Sequence, residues 1–294
     1  MSENTPLDLL REWIFRQLQA ASAGWLREKV EQLSEAARDR DLYLAISLVP
    51  SKIGKEDLRL EASDLAAAEG ARSGWRPGGW SVDQAARLIL LLSAKGSDAQ
   101  FAERLEQLCT TADVGELITF YRGLPLYPAQ ERYVARASEG ARTNMKAVFE
   151  AVAHHNPYPA EQFGEAAWNQ MVLKALFVGS TLNPIQRIDE RRNPDQMRML
   201  CDYAHERWAA GRDVSPEIWR GVGPFADEAA LADLERALAS DHPLERQGAA
   251  LALRECPDPK AARLLGSVPD MLSKIESGGI SWDTVYQNLT NPID

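Results

Sequence analysis

Three residues with acid–base chemistry lie close together in the segment CDYAHERWAAGR, residues 201–212. They are Asp202, His205 and Glu206. On a helix, Asp202 and His205 lie three positions apart and can interact, whereas Glu206 points nearly opposite the apolar stripe of the segment. Asp202 and His205 can therefore form a hydrogen bond or present ligands jointly to one ion, and the trio reduces to a pair.

A metal site needs more ligands than this pair supplies. Carboxylate-x-x-His motifs hold di-iron centres in helical bundles only with a second such motif and two further glutamates. The nearest further candidate is Glu150 with His154 in EAVAHHNPYP, and no HExxH motif occurs. The sequence therefore predicts no metal and no cofactor. It favours a half-buried His205 that is held by Asp202.

A second polar group lies in WNQMVLKALFVG, residues 168–179, whose apolar side chains surround a helical wheel. A helix that is apolar on every side is buried, so its polar members need interior partners or a gap to solvent. Those members are Asn169, Gln170 and Lys174, and the acids available to Lys174 are Asp189, Asp202 and Glu206. Lys174 either joins a rigid network, lines a polar pocket or extends to the surface. These alternatives stay open.

Two turns carry further groups that suit an anion. HHNPYP, residues 154–159, leaves His154 and Asn156 at the end of a predicted helix, where the helix dipole favours a protonated histidine. FYRGLPLYP places Arg122 at another helix end. The candidate ligand-binding residues are therefore Lys174, Asn169, Gln170, Asp202, His205, His154, Asn156 and Arg122. If the protein is an enzyme, its candidate catalytic residues are His205, Asp202 and Lys174, because no serine elbow, phosphate loop or dinucleotide fingerprint occurs.

The elements that must position these residues are helices, and the sequence predicts an all-α fold, an irregular helical bundle or solenoid-like array. Helix starts are predicted at Thr5-Pro6, at Ser81 with Gln84 and at Asn193-Pro194. Two of the further predicted helices cover residues 130–154 and 183–191. Between Gly74 and Gly79 the glycines and Pro77 exclude regular structure, and we expect Trp75 and Trp80 to anchor this loop by burying their rings.

The sequence of the C-terminal part predicts a packing of helices that differs from that of the rest of the chain. Alanine and leucine recur through residues 227–265, with an Asp-x-Pro turn at Asp241, in a manner typical of HEAT-like helical pairs. Only about one and a half units are visible, fewer than the three or more that arrays need. The predicted organisation is a helical domain over 1–225, a HEAT-like extension over 226–277 and a partly extended tail over 278–294.

Composition restricts the class of protein. The formal net charge is -10, from 33 Lys and Arg against 43 Asp and Glu, and this sign disfavours nucleic-acid binding. Three separated cysteines argue against a disulfide framework or a structural zinc site. The most apolar windows are about half the ~20 residues that a bilayer span needs, so we predict no membrane span and a cytoplasmic location.

Several longer strings resemble the EboA family. They are LVPSKIGKEDLRL, GWRPGGWSVDQAARLILLL, FYRGLPLYP, EGARTNMKAVFEAVAHHNPYP, WNQMVLKALFVGSTLNPIQRID and NPDQMRMLCDYAHERWAAGRDVSPEIWRGVGPF. The resemblance runs from about Leu7 to Phe225. It implies a role beside a prenyltransferase, a sugar-phosphate cyclase and a hydrolase encoded in the same gene cluster, which makes or moves a small metabolite. None of the strings is a catalytic signature.

Three functions follow, in order of preference. The first is a non-catalytic scaffold or ligand-handling partner of pathway enzymes, which handles an anionic cyclitol- or prenyl-derived metabolite. The second is an enzyme that uses Lys174 with Asp202 and His205 on a phosphorylated or carboxylated sugar or cyclitol. The third is a protein-interaction module without a small-molecule site.

Overall fold

The computed structural model describes residues 4–291, and it confirms the predicted all-α class. An isolated antiparallel β-bridge joins Asp57 to Ser81. The chain divides between Phe163 and Gly164 into two compact units. We call them the N-terminal unit and the C-terminal unit and describe each by itself. The domain limits predicted from the sequence, and the HEAT-like character of residues 226–277, stay predictions.

The N-terminal unit is built from ten α-helices within its described residues. They are α1 (Pro6–Phe15), α2 (Ala20–Glu35), α3 (Asp39–Ile53), α4 (Ala62–Ala71), α5 (Val82–Ser93), α6 (Asp98–Thr111), α7 (Val114–Arg122), α8 (Val134–Gly140), α9 (Lys146–Ala153) and α10 (Tyr158–Gln162). Two 3₁₀ segments, Leu124–Leu126 and Gln130–Tyr133, follow α7.

Helix α5 forms the centre of this unit. Its residues are buried without interruption from Val82 to Leu91 except at Gln84, and it packs against α1, α2, α3 and α7. Each fully buried leucine of this kind contributes about 1.5–3 kcal/mol. Arg87 is buried on the same helix and forms an ion pair with Asp83, so its charge is compensated locally.

Local capping explains where the predicted helices begin. Thr5 and Asp8 form a reciprocal capping box at α1, with the Asp8 N–H donating to Thr5 Oγ1 at 3.2 Å. At α5 the N–H of Ser81 donates to Gln84 Oε1 at 3.4 Å. At α12 (Pro194–Ala209) the Asn193 side chain accepts the N–H of Gln196 at 2.8 Å. All three predicted starts are confirmed.

The predicted continuous helix over 130–154 is wrong. The chain instead forms the Gln130–Tyr133 segment, α8 and α9, with a turn between Gly140 and Met145. Gly140 lies so close to the Tyr121 ring that a Cβ there would collide with it. Only glycine fits this contact, and α8 ends at this residue.

The C-terminal unit contains α11 (Glu165–Phe177), α12 and five further α-helices among its described residues. These are α13 (Glu228–Leu238), α14 (Pro243–Glu255), α15 (Pro259–Gly266), α16 (Pro269–Glu276) and α17 (Trp282–Thr290). Two 3₁₀ segments, Pro216–Gly221 and Gly223–Phe225, precede α13. Helix α14 is the centre of this unit and packs against α13, α15, α17 and both 3₁₀ segments.

The predicted helix over 183–191 is also wrong, because this segment is a series of turns. Side chains that are distant in sequence hold it. Glu217, which is fully buried, accepts the N–H groups of Leu182 at 2.8 Å and Asn183 at 2.9 Å. Arg220 donates to both carboxylate oxygens of Asp189, at 2.7 and 2.8 Å. These bonds replace the backbone bonds of a helix.

The end of the chain differs from the partly extended tail that the sequence predicts. Residues Trp282–Thr290 form α17, and Val285 packs with Leu251 and Ile280 in a small apolar cluster. Residues 292–294 of the predicted tail lie outside the described residues. Within residues 4–291, no helix has both the length and the apolar character that crossing a bilayer requires.

Candidate ligand-binding site

The loop before α5 is anchored by buried indole rings, as its sequence predicts. Trp75 and Trp80 are 2% and 3% exposed, and their ring centroids lie 6.0 Å apart in an edge-on arrangement. Trp75 also contacts Trp13 of α1, and the centroids of these two rings lie 5.5 Å apart. Gly74 and Gly79 both have positive φ angles, which glycine adopts at low cost. The loop therefore presents its remaining residues on a rigid base.

Arg122, the last residue of α7, reaches this loop. Its Nη1 donates to the carbonyl of Gly79 at 3.1 Å and to Gln84 Oε1 at 2.9 Å. The guanidinium is half-buried, and loss of water around it lowers the pKa of Arg122 from its usual value. Arg122 is thus a cation held in one orientation, as a binding site requires.

The end of α9 supplies the opposite wall. Asn156 is buried, and its Nδ2 donates to the carbonyls of Tyr121 at 3.0 Å and Ala151 at 3.1 Å. Its Oδ1 accepts the N–H of Tyr158 at 3.0 Å. These three bonds fix the turn that carries His154 and His155, whose rings lie 6.4 Å apart. Asn156, a predicted ligand-binding residue, therefore has a structural role.

The loop, the end of α7 and the end of α9 surround a pocket of about 200 Å³, which we call the Trp75 pocket. Its lining includes the rings of Trp75 and Trp80 together with five ionisable side chains. The ionisable side chains are Arg76, Arg122, Glu150, His154 and His155. Of the predicted ligand-binding residues, Arg122, His154 and Asn156 meet here.

His155 takes an unusual backbone conformation at this pocket, with a φ of 52°. Loss of water around the ring lowers the pKa of His155 below its usual value, and the charges of Arg76 and Arg122 lower it further. The neutral form of His155 is therefore favoured while the pocket contains no anion. A bound anion would oppose the charge of the two arginines and raise that pKa.

The sequence indicated the loop but not Arg76 as part of a site. Arg76 is exposed, and within residues 4–291 it makes no hydrogen bond or ion pair. No local pattern distinguishes such an arginine from an ordinary surface residue. Only the folded loop shows that it faces the same pocket as Arg122 and His155.

In the C-terminal unit, the predicted pairing of His205 with Asp202 is wrong. His205 Nε2 lies 2.8 Å from both carboxylate oxygens of Asp233, which α13 brings to α12. The side chain of His205 is 53% exposed and its ring lies 5.9 Å from Trp208. Asp202 and Glu206 are exposed. A partner on a second helix cannot be read from the spacing within the first.

Helix α11 is not buried on every side, in contrast to the prediction from its apolar wheel. Phe177 is 67% exposed and Gln170 is exposed, whereas Asn169 is buried. Asn169 does have a buried partner, because its amide exchanges two hydrogen bonds with Asn193, at 3.0 and 2.8 Å. Lys174 is half-buried, and its Nζ lies 5.4 Å from the centre of the Phe177 ring. The roles of these residues in ligand binding stay predictions.

Comparison with known proteins identifies the family. The family described as metabolite traffic protein EboA matches residues 6–223 of the chain. No curated protein and no solved structure matches. The matched residues include the whole Trp75 pocket. Since the match covers well over half of the sequence, the chain belongs to the EboA family, a family named for metabolite traffic.

Proposed function

We propose that the protein is an accessory, non-catalytic component of metabolite traffic that binds a small anionic metabolite in the Trp75 pocket. One observation carries this proposal: two arginines and two histidines face a single pocket of about 200 Å³, whose one acidic lining residue is Glu150. The formal net charge of the whole chain is -10, so a local excess of positive side chains is not a general property of the surface.

The pocket is suited to hold an anion because its cation is already oriented. Arg122 is restrained by Gly79 and Gln84, so less conformational entropy is lost when an anion binds than for a free arginine. Hydrogen bonds from arginine to phosphate or carboxylate are about twice as strong as those between neutral groups. Arg76, which is exposed and lines the same pocket, adds a second cation.

The wider role rests on the family resemblance. We propose that the bound compound is a cyclitol- or prenyl-derived metabolite and that the protein acts in the cytoplasm as a scaffold or ligand-handling partner. Its proposed partners are the prenyltransferase, the sugar-phosphate cyclase and the hydrolase of the same gene cluster. The description of the family as a metabolite traffic protein supports a role in handling rather than in conversion.

We rank the enzymatic alternative second. It requires Lys174, Asp202 and His205 to act together, but the hydrogen-bond partner of His205 is Asp233 and Asp202 is exposed. Turnover of a phosphorylated or carboxylated sugar or cyclitol by the isolated chain, lost in Lys174→Met, would establish this alternative in place of our proposal.

The test is recovery of the metabolite with the protein. Purified wild type, Arg76→Gln and Arg40→Gln are incubated with extract from cells that carry the gene cluster, and bound compounds are identified by mass spectrometry. Arg40 is exposed and does not line the pocket, so Arg40→Gln matches the change in net charge. We expect an anionic compound with wild type and Arg40→Gln, and a loss with Arg76→Gln. Equal recovery from all three proteins would reject the proposal.

A further inference from the structure

A second concavity adjoins the Trp75 pocket. It has a volume of about 430 Å³ and is lined by Leu65, Glu69, Trp75, Arg76, Gly78 and His155. Four of these six residues, Trp75, Arg76, Gly78 and His155, also line the Trp75 pocket. We call this concavity the Leu65 groove. The two spaces therefore meet at a common wall that carries the Trp75 indole, the Arg76 guanidinium and the His155 imidazole.

The Leu65 groove differs in chemistry from the pocket beside it. Leu65 of α4 is 41% exposed, an apolar side chain left in contact with water next to the Trp75 ring. The one acid in the groove, Glu69, is engaged by the loop: its carboxylate accepts the N–H of Gly74 at 3.0 Å and the hydroxyl of Ser73 at 2.9 Å. The groove thus offers apolar surface, while the pocket beside it offers positive charge.

We infer that the ligand is a free amphiphilic anion, with its charged group in the Trp75 pocket and an apolar portion in the Leu65 groove. This inference rests on the proposed function, because it specifies the class of compound that the same site takes. Arg76 lies at the junction, where its guanidinium contacts the charged group of the ligand. The apolar portion of the ligand removes Leu65 from water, and this burial adds to the affinity that the charged group provides.

Gly78 provides a way to test the junction. It lines both spaces, and a Cβ added to it would meet no atom within 4 Å. Gly78→Leu therefore places a side chain at the junction without a clash at its Cβ. Gly24 on α2 also has open space around an added Cβ and lines neither space, so Gly24→Leu is the matched control.

The experiment compares methyl phosphate with octyl phosphate, below its micelle concentration, by isothermal titration calorimetry. Each methylene that leaves water adds about fourfold in affinity, so partial burial of the chain predicts octyl phosphate to bind about 30-fold more tightly or better. Leu65→Gln is expected to remove about fivefold of that gain and to leave methyl phosphate unchanged. Gly78→Leu is expected to weaken octyl phosphate by about tenfold, and Gly24→Leu to have no effect.

The outcomes separate this inference from the proposed function. If both phosphates bind equally well and both lose affinity in Arg76→Gln, the pocket binds anions and the inference is wrong. If neither phosphate binds, the proposed function and the inference both fail. Octyltrimethylammonium carries the opposite charge, and binding as tight as that of octyl phosphate would also overturn the inference. If the wild-type protein floats with phosphatidylglycerol vesicles and Leu65→Gln does not, the ligand is a membrane lipid and not a free amphiphilic anion.

Discussion

Arg122 and Gln84 are joined by a hydrogen bond of 2.9 Å from Nη1 to Oε1, which ties the end of α7 to the first turn of α5. The same glutamine oxygen accepts the N–H of Ser81 at 3.4 Å. One side chain therefore completes the start of the central helix and orients a cation of the Trp75 pocket. Gln84 therefore contributes both to the stability of the fold and to ligand binding, and a substitution at Gln84 can separate the two effects.

Gln84→Glu is expected to move stability and binding in opposite directions. Glutamate is favoured at this position of a capping box and would pair with Arg122, so the free energy of unfolding should stay equal or rise by about 0.5 kcal/mol. The added negative charge should lower the affinity for phosphate about tenfold. The readouts are chemical denaturation and calorimetry.

The matched control is Gln100→Glu, because Gln100 occupies the same capping position at α6 and does not line the pocket. It should change stability in the same direction and leave phosphate affinity unaltered. A loss of affinity in both variants would mean that overall charge, and not the Arg122 contact, governs binding.

Asn156→Asp should destabilise the fold rather than act on the ligand directly. Aspartate keeps the acceptor for the Tyr158 N–H but loses both donors, so the carbonyls of Tyr121 and Ala151 lose these bonds. We expect a loss of about 2–3 kcal/mol in the free energy of unfolding. Asn288→Asp on α17 serves as the control and should cost about 0.5 kcal/mol or less. Equal stability of Asn156→Asp and wild type would contradict the structural role.

Sulfate binding should strengthen as the pH falls from 7.5 to 5.5. The pKa of His155 is lowered in the free protein by loss of water and by Arg76 and Arg122, and a bound anion raises it. Binding therefore takes up a proton, and affinity increases as the pH falls through the usual histidine range near 6.5. Sulfate keeps its charge over this pH range, so the expected change of about three- to tenfold in its affinity reflects protonation of the protein.

The other titratable or charged side chains that line the pocket are Arg76, Arg122, Glu150 and His154. His155→Gln should reduce the pH dependence and leave the contribution of His154. The lowered pKa also makes the folded state less stable below pH 6.5, since the unfolded chain then binds more protons. A pH profile of sulfate binding that is identical in wild type and His155→Gln would exclude His155 from the site.

Glu217→Gln should destabilise the C-terminal unit even though it removes a buried charge. Each carboxylate oxygen accepts one backbone N–H, from Leu182 and from Asn183. An amide offers one acceptor, so one N–H would face an NH₂ group, at a cost of about 2 kcal/mol. Thermal unfolding of Glu190→Gln, an exposed acid paired with Arg187, provides the comparison and should shift little. A stability gain in Glu217→Gln would show that burial of the charge dominates.

Local signals in the sequence predicted the elements well. The starts of α1, α5 and α12 follow from capping residues within three positions of each other, and the burial of Trp75 and Trp80 follows from a loop with few other apolar groups. The sequence also placed Arg122 and His154 at helix ends, and the fold brings both to one pocket.

The sequence predictions fail where contacts between distant residues determine the structure. Residues 183–191 have a helical pattern, but Glu217 and Arg220 hold them as turns. His205 takes Asp233 from α13 instead of Asp202 from its own helix. Arg76 has no local signal, because its role depends on how the loop meets α7 and α9. Each of these contacts joins residues that no periodicity relates.

The most direct test of the central claim is the position of an anion in a crystal. Crystals of the protein soaked in selenate give an anomalous signal that locates each bound ion. We expect selenate in the Trp75 pocket within hydrogen-bond distance of the Arg122 or Arg76 guanidinium, and we expect it to be lost in Arg76→Gln crystals. Selenate found only at other positions, with this pocket filled by water, would contradict the account.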